Sequence, residues 1–136
     1  MEHRTINDEY TKLANELIET APELEYIRDS NVSLVVLSSD HEKKSKGRIT
    51  HGECEKVPGK YRWGIPFDFT ITVYEPNVER FSDDQMRILL LHELLHVGVD
   101  QDGGEETYYV VPHDLEDFRS IVNRFGADWS LTDDQT

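Results

Sequence analysis

Two histidines four residues apart, with a glutamate between them, interrupt the otherwise apolar residues 88–99. They are His92, Glu93 and His96, and they match the pattern His-Glu-x-x-His. On a helix, positions four apart differ in direction by only about 40°, so both imidazoles can bind one metal ion. Zinc suits them, because it accepts imidazole nitrogen and tolerates three protein ligands plus a water molecule. Glu93 is then placed to act on that water as a general base.

An amphipathic helix whose His and Glu side chains simply face solvent is the alternative explanation. Five leucines argue against it, because together they cover nearly the whole circumference of the helix and leave little of its surface exposed to solvent. They are Leu89, Leu90, Leu91, Leu94 and Leu95. Polar side chains inside such a helix carry a large desolvation cost unless a partner satisfies them. The segment therefore predicts a metal site with Zn²⁺ as the cofactor.

A catalytic zinc site needs a third protein ligand. The metzincin pattern requires Gly at position 99 and His at position 102, where this chain has Val99 and Asp102. His113 is the stronger candidate, because the apolar residues 108–111 before it can form a strand that returns across the active helix. Acidic residues stay open as alternatives: Asp100, Asp102, Glu105, Glu106 and Asp117. The acidic loop has too few alternating ligands for a calcium-binding EF-hand.

A capping box at residues 82–85 starts the helix that carries the motif. Ser82 is the cap and Gln85 reaches back to it, and the helix is predicted to run to about Val97, where Gly98 can end it. Residues 67–74 alternate between apolar and polar types and predict a half-buried strand. Four further elements are predicted: a helix over residues 7–20, a buried strand over residues 32–37, a hairpin that joins residues 48–57 to 60–65, and a last helix over about residues 112–126. This order predicts an α+β fold in a single domain, residues 1–136.

Composition limits the classes of partner. Among 136 residues, 28 are Asp or Glu and 14 are Lys or Arg, which gives a formal charge of −14. Nucleic acid and anionic membranes attract basic proteins, so both are disfavoured as partners, and the local basic run at residues 43–48 is expected to be a solvated loop. No apolar run approaches the roughly 18 residues that span a bilayer, and no signal peptide is recognised. A single cysteine, Cys54, favours a reducing cytoplasm.

A resemblance to a known family rests on four stretches: residues 61–63, 68–73, 92–98 and 113–118. In them the chain resembles the phage metallopeptidases over roughly residues 30–129. The resemblance implies a small zincin-like, minimal metallopeptidase domain: a mixed β-sheet with an active-site helix and a C-terminal helix. It further implies that His92, His96 and His113 bind zinc and that Glu93 is the catalytic base. The substrate would be a protein or peptide, cut in the host cytoplasm by a phage-encoded enzyme.

A more distant similarity, in the spacing of the two histidines, connects the chain with SprT-like proteases, which act on DNA-crosslinked proteins. This chain is acidic and has no Cys-rich zinc ribbon, which argues against a DNA-linked substrate. In zincin-like folds an edge strand pairs with the extended peptide substrate, and residues 67–74 are expected to supply it. Tyr108 or Tyr109 is a candidate donor to the oxyanion that forms during hydrolysis.

Two other functions stay open at this point. The chain could be a catalytically silent zinc-binding module that works by interaction or regulation, or a metal-dependent hydrolase of a non-peptide substrate. Glu93 favours a hydrolase, because a purely structural zinc site has no need of a base. Among the remaining side chains, Trp63 and Trp129 are expected in the core, Cys54 is expected to be a bystander, and His3, His41 and His51 are expected on the surface or in loops.

Overall fold

The fold combines short strands with helices. The computed structural model describes residues 1–112, 121, 124, 125, 129 and 130. Within these residues the strands are β1 (Arg4–Ile6), β2 (Leu34–Ser39), β3 (Lys44–Ser45), β4 (Arg48–Ile49), β5 (Gly52–Lys56), β6 (Phe69–Tyr74), β7 (Val97–Asp100) and β8 (Thr107–Val110). The α-helices are α1 (Asp8–Thr20), α2 (Glu25–Arg28), α3 (Glu75–Val78) and α4 (Asp83–Leu94), and 3₁₀ turns cover Pro22–Leu24, Gly59–Tyr61 and Asp102–Gly104. The predicted α+β class is confirmed.

Two apolar runs rich in β-branched residues form the centre of the main sheet. Strands β2 and β6 pair in parallel, with Val36 opposite Ile71, and both runs are almost wholly buried. Strand β1 adds antiparallel to β2, and β5 adds antiparallel to β6, so the strand order is β1-β2-β6-β5. The sheet is therefore mixed, as predicted. A strand that is buried at nearly every position belongs in the middle of such a sheet.

This strand order corrects two sequence-based expectations. The strand predicted over residues 67–74 begins at Phe69, and it is paired on both sides, so it is not the edge strand that could receive a substrate. The predicted hairpin between residues 48–57 and 60–65 is also wrong. Strand β5 pairs with β6 instead, while residues 58–65 form a turn held by its own backbone hydrogen bonds. Pairing with β6 gives β5 a buried neighbour that the exposed residues 60–65 could not offer.

The hydrophobic core lies where the helices pack on the sheet. Helix α1 is capped by Asn7, whose side chain accepts a hydrogen bond from the Tyr10 N–H, and it packs against β2 and α4. Helix α4 in turn lies against β5. The leucines of α4 are buried with the inward residues of β2 and β6, and Ile121 joins them from the C-terminal segment. The catalytic candidates on α4 are thus anchored by the core itself.

Two small hairpins complete the described fold. Strands β3 and β4 turn through Lys46 and Gly47, both with positive φ, so the basic run is an exposed hairpin rather than an irregular loop. Strands β7 and β8 form the second hairpin directly after α4. Ile121, Arg124 and Phe125 are helical, while most of the predicted last helix, with His113 and Asp117, lies outside the described residues. Across the described residues no helix is both long and apolar enough to cross a membrane.

Candidate metal centre

Helix α4 fixes the first two residues of the motif. Its capping box is formed in both directions: the Ser82 hydroxyl accepts from the Gln85 N–H at 3.1 Å, and the Gln85 side chain accepts from the Ser82 N–H at 2.9 Å. These bonds satisfy two of the amide groups that every helix leaves unpaired at its start. Around Glu93, which is only 3% exposed, Leu90, Leu91 and Leu94 are buried as well. His92 and Glu93 therefore sit on a rigid, well-anchored element.

His96 is supported differently, and here the sequence-based expectation was wrong. The helix was predicted to run to about Val97, but α4 ends at Leu94, and His96 follows in a turn where its N–H donates to the Glu93 carbonyl. Val97 then begins strand β7. The physical reason is pairing with β8: the backbone of Val111 donates its N–H to the His96 carbonyl at 2.7 Å, which extends the hairpin back to the motif.

The three side chains nevertheless come together. One ligand atom from each of His92, Glu93 and His96 lies within 4.8 Å of the other two, and such a group could hold a metal ion. The two imidazole rings are 5.3 Å apart between centroids and are inclined by 67°. His92 Nε2 is 3.9 Å from the nearer Glu93 carboxylate oxygen. Their convergence at the end of α4 is the geometry that the motif predicts.

A hydrogen bond selects the tautomer of His96. Its Nδ1 lies 2.6 Å from the Val111 carbonyl oxygen, which can only accept, so Nδ1 carries the proton and donates. The lone pair of the neutral ring is then on Nε2. Zinc-binding histidines in proteins commonly donate their second ring nitrogen to a carbonyl or carboxylate in this way, which fixes both tautomer and ring orientation.

Strand β5 lies against the carboxylate of Glu93. A Cβ built on Gly52 would be 3.4 Å from Glu93 Cγ and 3.2 Å from the Thr72 carbonyl oxygen, so a side chain there would crowd both. Burial raises the pKa of the neighbouring Cys54 thiol far above its ordinary value, and the charge of Glu93 adds to the shift. Cys54 is therefore held as a neutral thiol, in agreement with its expected role as a bystander. Gly52 lies at the site although no pattern in the sequence indicates it.

Aromatic rings line the His92 side of the site. The His92 ring lies 6.0 Å from that of Trp129, which is 6.4 Å from Phe81, and Phe81 is 5.0 Å from His51. His51 is in a loop, as expected, but it is half-buried; burial lowers its pKa, and the nearby His92 lowers it further. Trp129 packs against the core, as expected. The spacing of these residues in the sequence gave no signal that they would meet.

The candidate oxyanion donors lie on β8. The Tyr108 hydroxyl donates to the Glu106 carboxylate at 2.6 Å, while burial and this carboxylate raise the pKa of Tyr108 to about 12. Tyr109 is half exposed, and its ring lies directly over Gly98, where a Cβ would approach it to 2.5 Å. A role for either hydroxyl in catalysis stays a prediction.

The acidic alternatives for the third ligand stand in different environments. Glu106 accepts hydrogen bonds from Tyr108, from the Asn31 N–H and from Gln101, and these lower its pKa. Asp100 ends β7 and Glu105 follows the 3₁₀ turn, both with exposed side chains. Each of these roles remains a prediction.

Comparison with known proteins adds one finding. A family model described as "Putative phage metallopeptidase" matches residues 2–134, nearly the whole chain. No curated protein and no solved structure matches the chain significantly.

Proposed function

This chain belongs to the family of putative phage metallopeptidases, and we propose that it hydrolyses peptide bonds at a zinc site on helix α4. The observation that carries this proposal is the convergence of His92, Glu93 and His96 within 4.8 Å. Two imidazoles beside one buried carboxylate suit zinc, which prefers nitrogen ligands and leaves room for water. The hydrogen bond from His96 to Val111 leaves Nε2 of that ring as the atom to bind the ion.

For the third ligand we propose His113. The chain at Val111 is tied to His96 in both directions, by the Val111 N–H and by the Val111 carbonyl. His113 is only two residues further along the sequence, a span of at most about 7 Å in extended chain. The acidic candidates Glu105 and Glu106 precede Val111 by five residues or more. The sequence distance thus favours the histidine.

Glu93 is the residue that moves the proton in this proposal. Bound zinc would lower the pKa of a water molecule and polarise the carbonyl of the peptide to be cut. The Glu93 carboxylate takes the proton from that water and later passes it to the leaving amine. Burial among leucines and against Gly52 keeps its side chain in one place.

The substrate would pair with strand β5, the edge strand next to the site. The Tyr74 N–H donates to the His51 carbonyl, and the Val57 N–H donates to the Asp68 carbonyl. The backbone N–H and C=O groups of the odd-numbered residues from 51 to 57 therefore point towards β6. In an antiparallel ladder the alternate residues face the other way. The backbone groups of Gly52, Cys54 and Lys56 therefore point to the open edge, where an extended peptide can add as another strand.

Lys56 allows a test of this pairing. Proline at Lys56 removes an outward N–H without removing a bond to β6, and proline is tolerated on edge strands. We expect Lys56→Pro to raise KM for a peptide substrate several-fold while Lys56→Ala leaves it unchanged. Equal KM values in the two variants would exclude pairing at this end of β5.

The experiment that tests the proposed function combines metal content with peptide release. Purified wild-type protein is expected to contain one zinc per chain and to release peptides from an unfolded protein substrate in a reaction that a chelator blocks. Glu93→Gln should keep the zinc but lose activity by about 10²–10⁴-fold, because it removes the base alone. Full activity in that variant would refute the mechanism.

The third ligand is tested by zinc content alone. His113→Ala should lose most of the zinc, whereas His3→Ala, an exposed histidine at the other end of the chain, should not. Unchanged zinc in His113→Ala would exclude that residue and point to Glu105, Glu106 or Asp117. Zinc without any hydrolysis would instead favour a binding module.

We also propose that residues 1–136 form one domain that acts in the cytoplasm of the host cell. The core cluster supports the first statement, because it includes residues from Ala14 to Ile121. The phage family and a single free cysteine support the second.

A further inference from the structure

Apart from the N-terminal Met1, Trp63 is the most exposed large apolar side chain among the described residues. It is 90% exposed, and its neighbours Tyr61 and Ile65 are 47% and 41% exposed. The prediction that Trp63 lies in the core is therefore wrong. Apolar groups that cluster on a surface commonly mark a binding site, and tryptophan is enriched among the residues that dominate binding energy.

The loop that carries these side chains is well ordered by hydrogen bonds. The N–H groups of Gly64 and Ile65 both donate to the Tyr61 carbonyl, at 3.0 and 2.9 Å. Between them and the sheet, the Arg62 guanidinium forms an ion pair with Asp68, which is 8% exposed and also accepts from the Ser33 N–H and hydroxyl. The ion pair of Arg62 and the two hydrogen bonds to Tyr61 hold the backbone on both sides of Trp63. The exposure of Trp63 is thus built into the fold.

The position of the loop relates it to the proposed peptide path. Strand β5 begins at Gly52, against Glu93, and ends at Lys56, two residues before the loop. Four residues of strand span about 14 Å. A peptide that pairs with β5 and has its scissile bond near Glu93 therefore reaches the loop about five to eight residues away from that bond.

The local charge differs from the net acidity of the chain, as it also does in the basic run of residues 43–48. Residues 57–66 contain Lys60 and Arg62 and no Asp or Glu, in a chain of net charge −14. An unfolded polypeptide with carboxylates near its apolar residues would be repelled by most of this protein but not by this loop. The loop thus offers apolar contact without the repulsion expected from the acidic parts of the surface.

We propose that Trp63, flanked by Tyr61 and Ile65, is a subsite that binds one apolar side chain of an unfolded polypeptide held along β5. This inference rests on the proposed function, because it names the substrate as an extended chain long enough to reach from Glu93 to the loop. In this proposal the loop selects the substrate, and the residues of helix α4 carry out the hydrolysis.

A randomised mixture of twelve-residue peptides tests the subsite. After digestion, sequencing of the products identifies the position of the cleaved bond and the residues that are enriched at each position around it. Wild-type protein should enrich Leu, Phe, Tyr or Trp about five to eight residues to one side of the cleaved bond. Trp63→Ser should lose that enrichment but keep any selection next to the cleaved bond.

Ile49→Ser is the matched control, because Ile49 is 45% exposed and lies before the opposite end of β5. This variant should keep the wild-type selection. An unchanged enrichment in Trp63→Ser, or an equal loss in Ile49→Ser, would overturn the proposal.

A binding measurement separates failure of the subsite from failure of the proposed function. Tryptophan fluorescence of Glu93→Gln is titrated with a reduced and carboxymethylated polypeptide that lacks tryptophan. Emission should shift to shorter wavelength, and the additional replacement Trp63→Ser should abolish the shift. If no variant cuts any peptide, the proposed function fails, and this shift still decides the subsite: its presence supports apolar binding at Trp63, and its absence overturns it.

Discussion

The two histidines of the motif stand on supports of very different kinds. His92 lies inside α4, which is capped in both directions at its start and packed by buried leucines along its length. His96 lies one residue beyond the helical cap Leu95, where the chain turns into β7, and its ring and carbonyl are held by the backbone of Val111. One histidine is thus fixed by local sequence and the other by pairing with a residue fifteen positions away. The difference predicts that the β7–β8 hairpin, which holds His96, loses more stability than α4 when the metal is removed or when a residue of the hairpin is mutated.

Removal of the metal should give the largest effect. Binding to the folded state alone stabilises it by about 4 kcal/mol when free zinc is 1,000 times its Kd. For a chain of this size we expect excess chelator to abolish hydrolysis and to lower Tm by about 10 °C or more. Hydrogen exchange should show where the stability is lost: the amide of Val111 should exchange much faster, and those of Leu90 and Leu91 only slightly so. Equal acceleration in both regions would contradict the comparison.

Gly98→Ala should give the next largest effect, since it acts on the hairpin alone. The new Cβ would lie 2.5 Å from the Tyr109 ring, so the ring or the strand must move. Because β7 begins one residue after His96, we expect zinc affinity to fall about tenfold, within the range for residues that orient a metal ligand. Isothermal titration with zinc measures the change.

Two variants control for a general effect of the added methyl group. Tyr109→Ala in the same chain should restore the affinity, because it removes the atoms that clash. Gly64→Ala should have no effect, because a Cβ there meets no atom within 4 Å. Loss of affinity in the double variant as well would show that Gly98 acts through something other than Tyr109.

The same contrast explains what the sequence could and could not predict. The capping box and the motif are local patterns, so the start of α4, the convergence of His92 and Glu93, and the α+β class followed from the residues. The end of α4 did not, because Leu95 and His96 are compatible with a helix and only the pairing of Val111 decides against it. The positions of Gly52 and His51 at the site could not be predicted for the same reason. They depend on the order of the strands in the sheet and not on a local pattern.

Trp63 illustrates a different limit. Its apolar side chain favours burial, but in the structure it lies on a turn that is held by backbone hydrogen bonds and by the ion pair of Arg62 with Asp68, and it is 90% exposed. No periodic pattern in residues 58–67 indicates that pair. The alternation in residues 67–74 predicts a strand but does not indicate which strands pair with it. The prediction that it is an edge strand is therefore wrong, because it lies between β2 and β5.

Ser82→Ala acts on the helix side and should have a smaller effect. It removes the hydroxyl that caps α4, which costs about 1 kcal/mol of stability. The free energy of unfolding, measured with denaturant, should fall by that amount in the chelated protein. Zinc affinity should stay within about twofold of wild type, because the core holds His92 in place. Ser45→Ala, on the exposed β3–β4 hairpin, is the control and should change neither quantity. A tenfold loss of affinity would mean that α4 is no more rigid than the hairpin.

Glu106 gives the smallest expected effect and tests the far end of the hairpin. Its carboxylate accepts from Tyr108 on β8 and from the Asn31 N–H, and these bonds lower its pKa from the ordinary 4.5. A lowered folded-state pKa means that the carboxylate contributes stability above pH 4.5 and loses it as pH falls through the folded-state value. Wild-type protein in chelator should therefore have a higher Tm than Glu106→Gln at pH 6, and the difference should shrink below pH 4.5. Chelator is needed so that protonation of zinc ligands does not enter the comparison. A difference that is independent of pH would show that Glu106 acts by packing rather than through its charge.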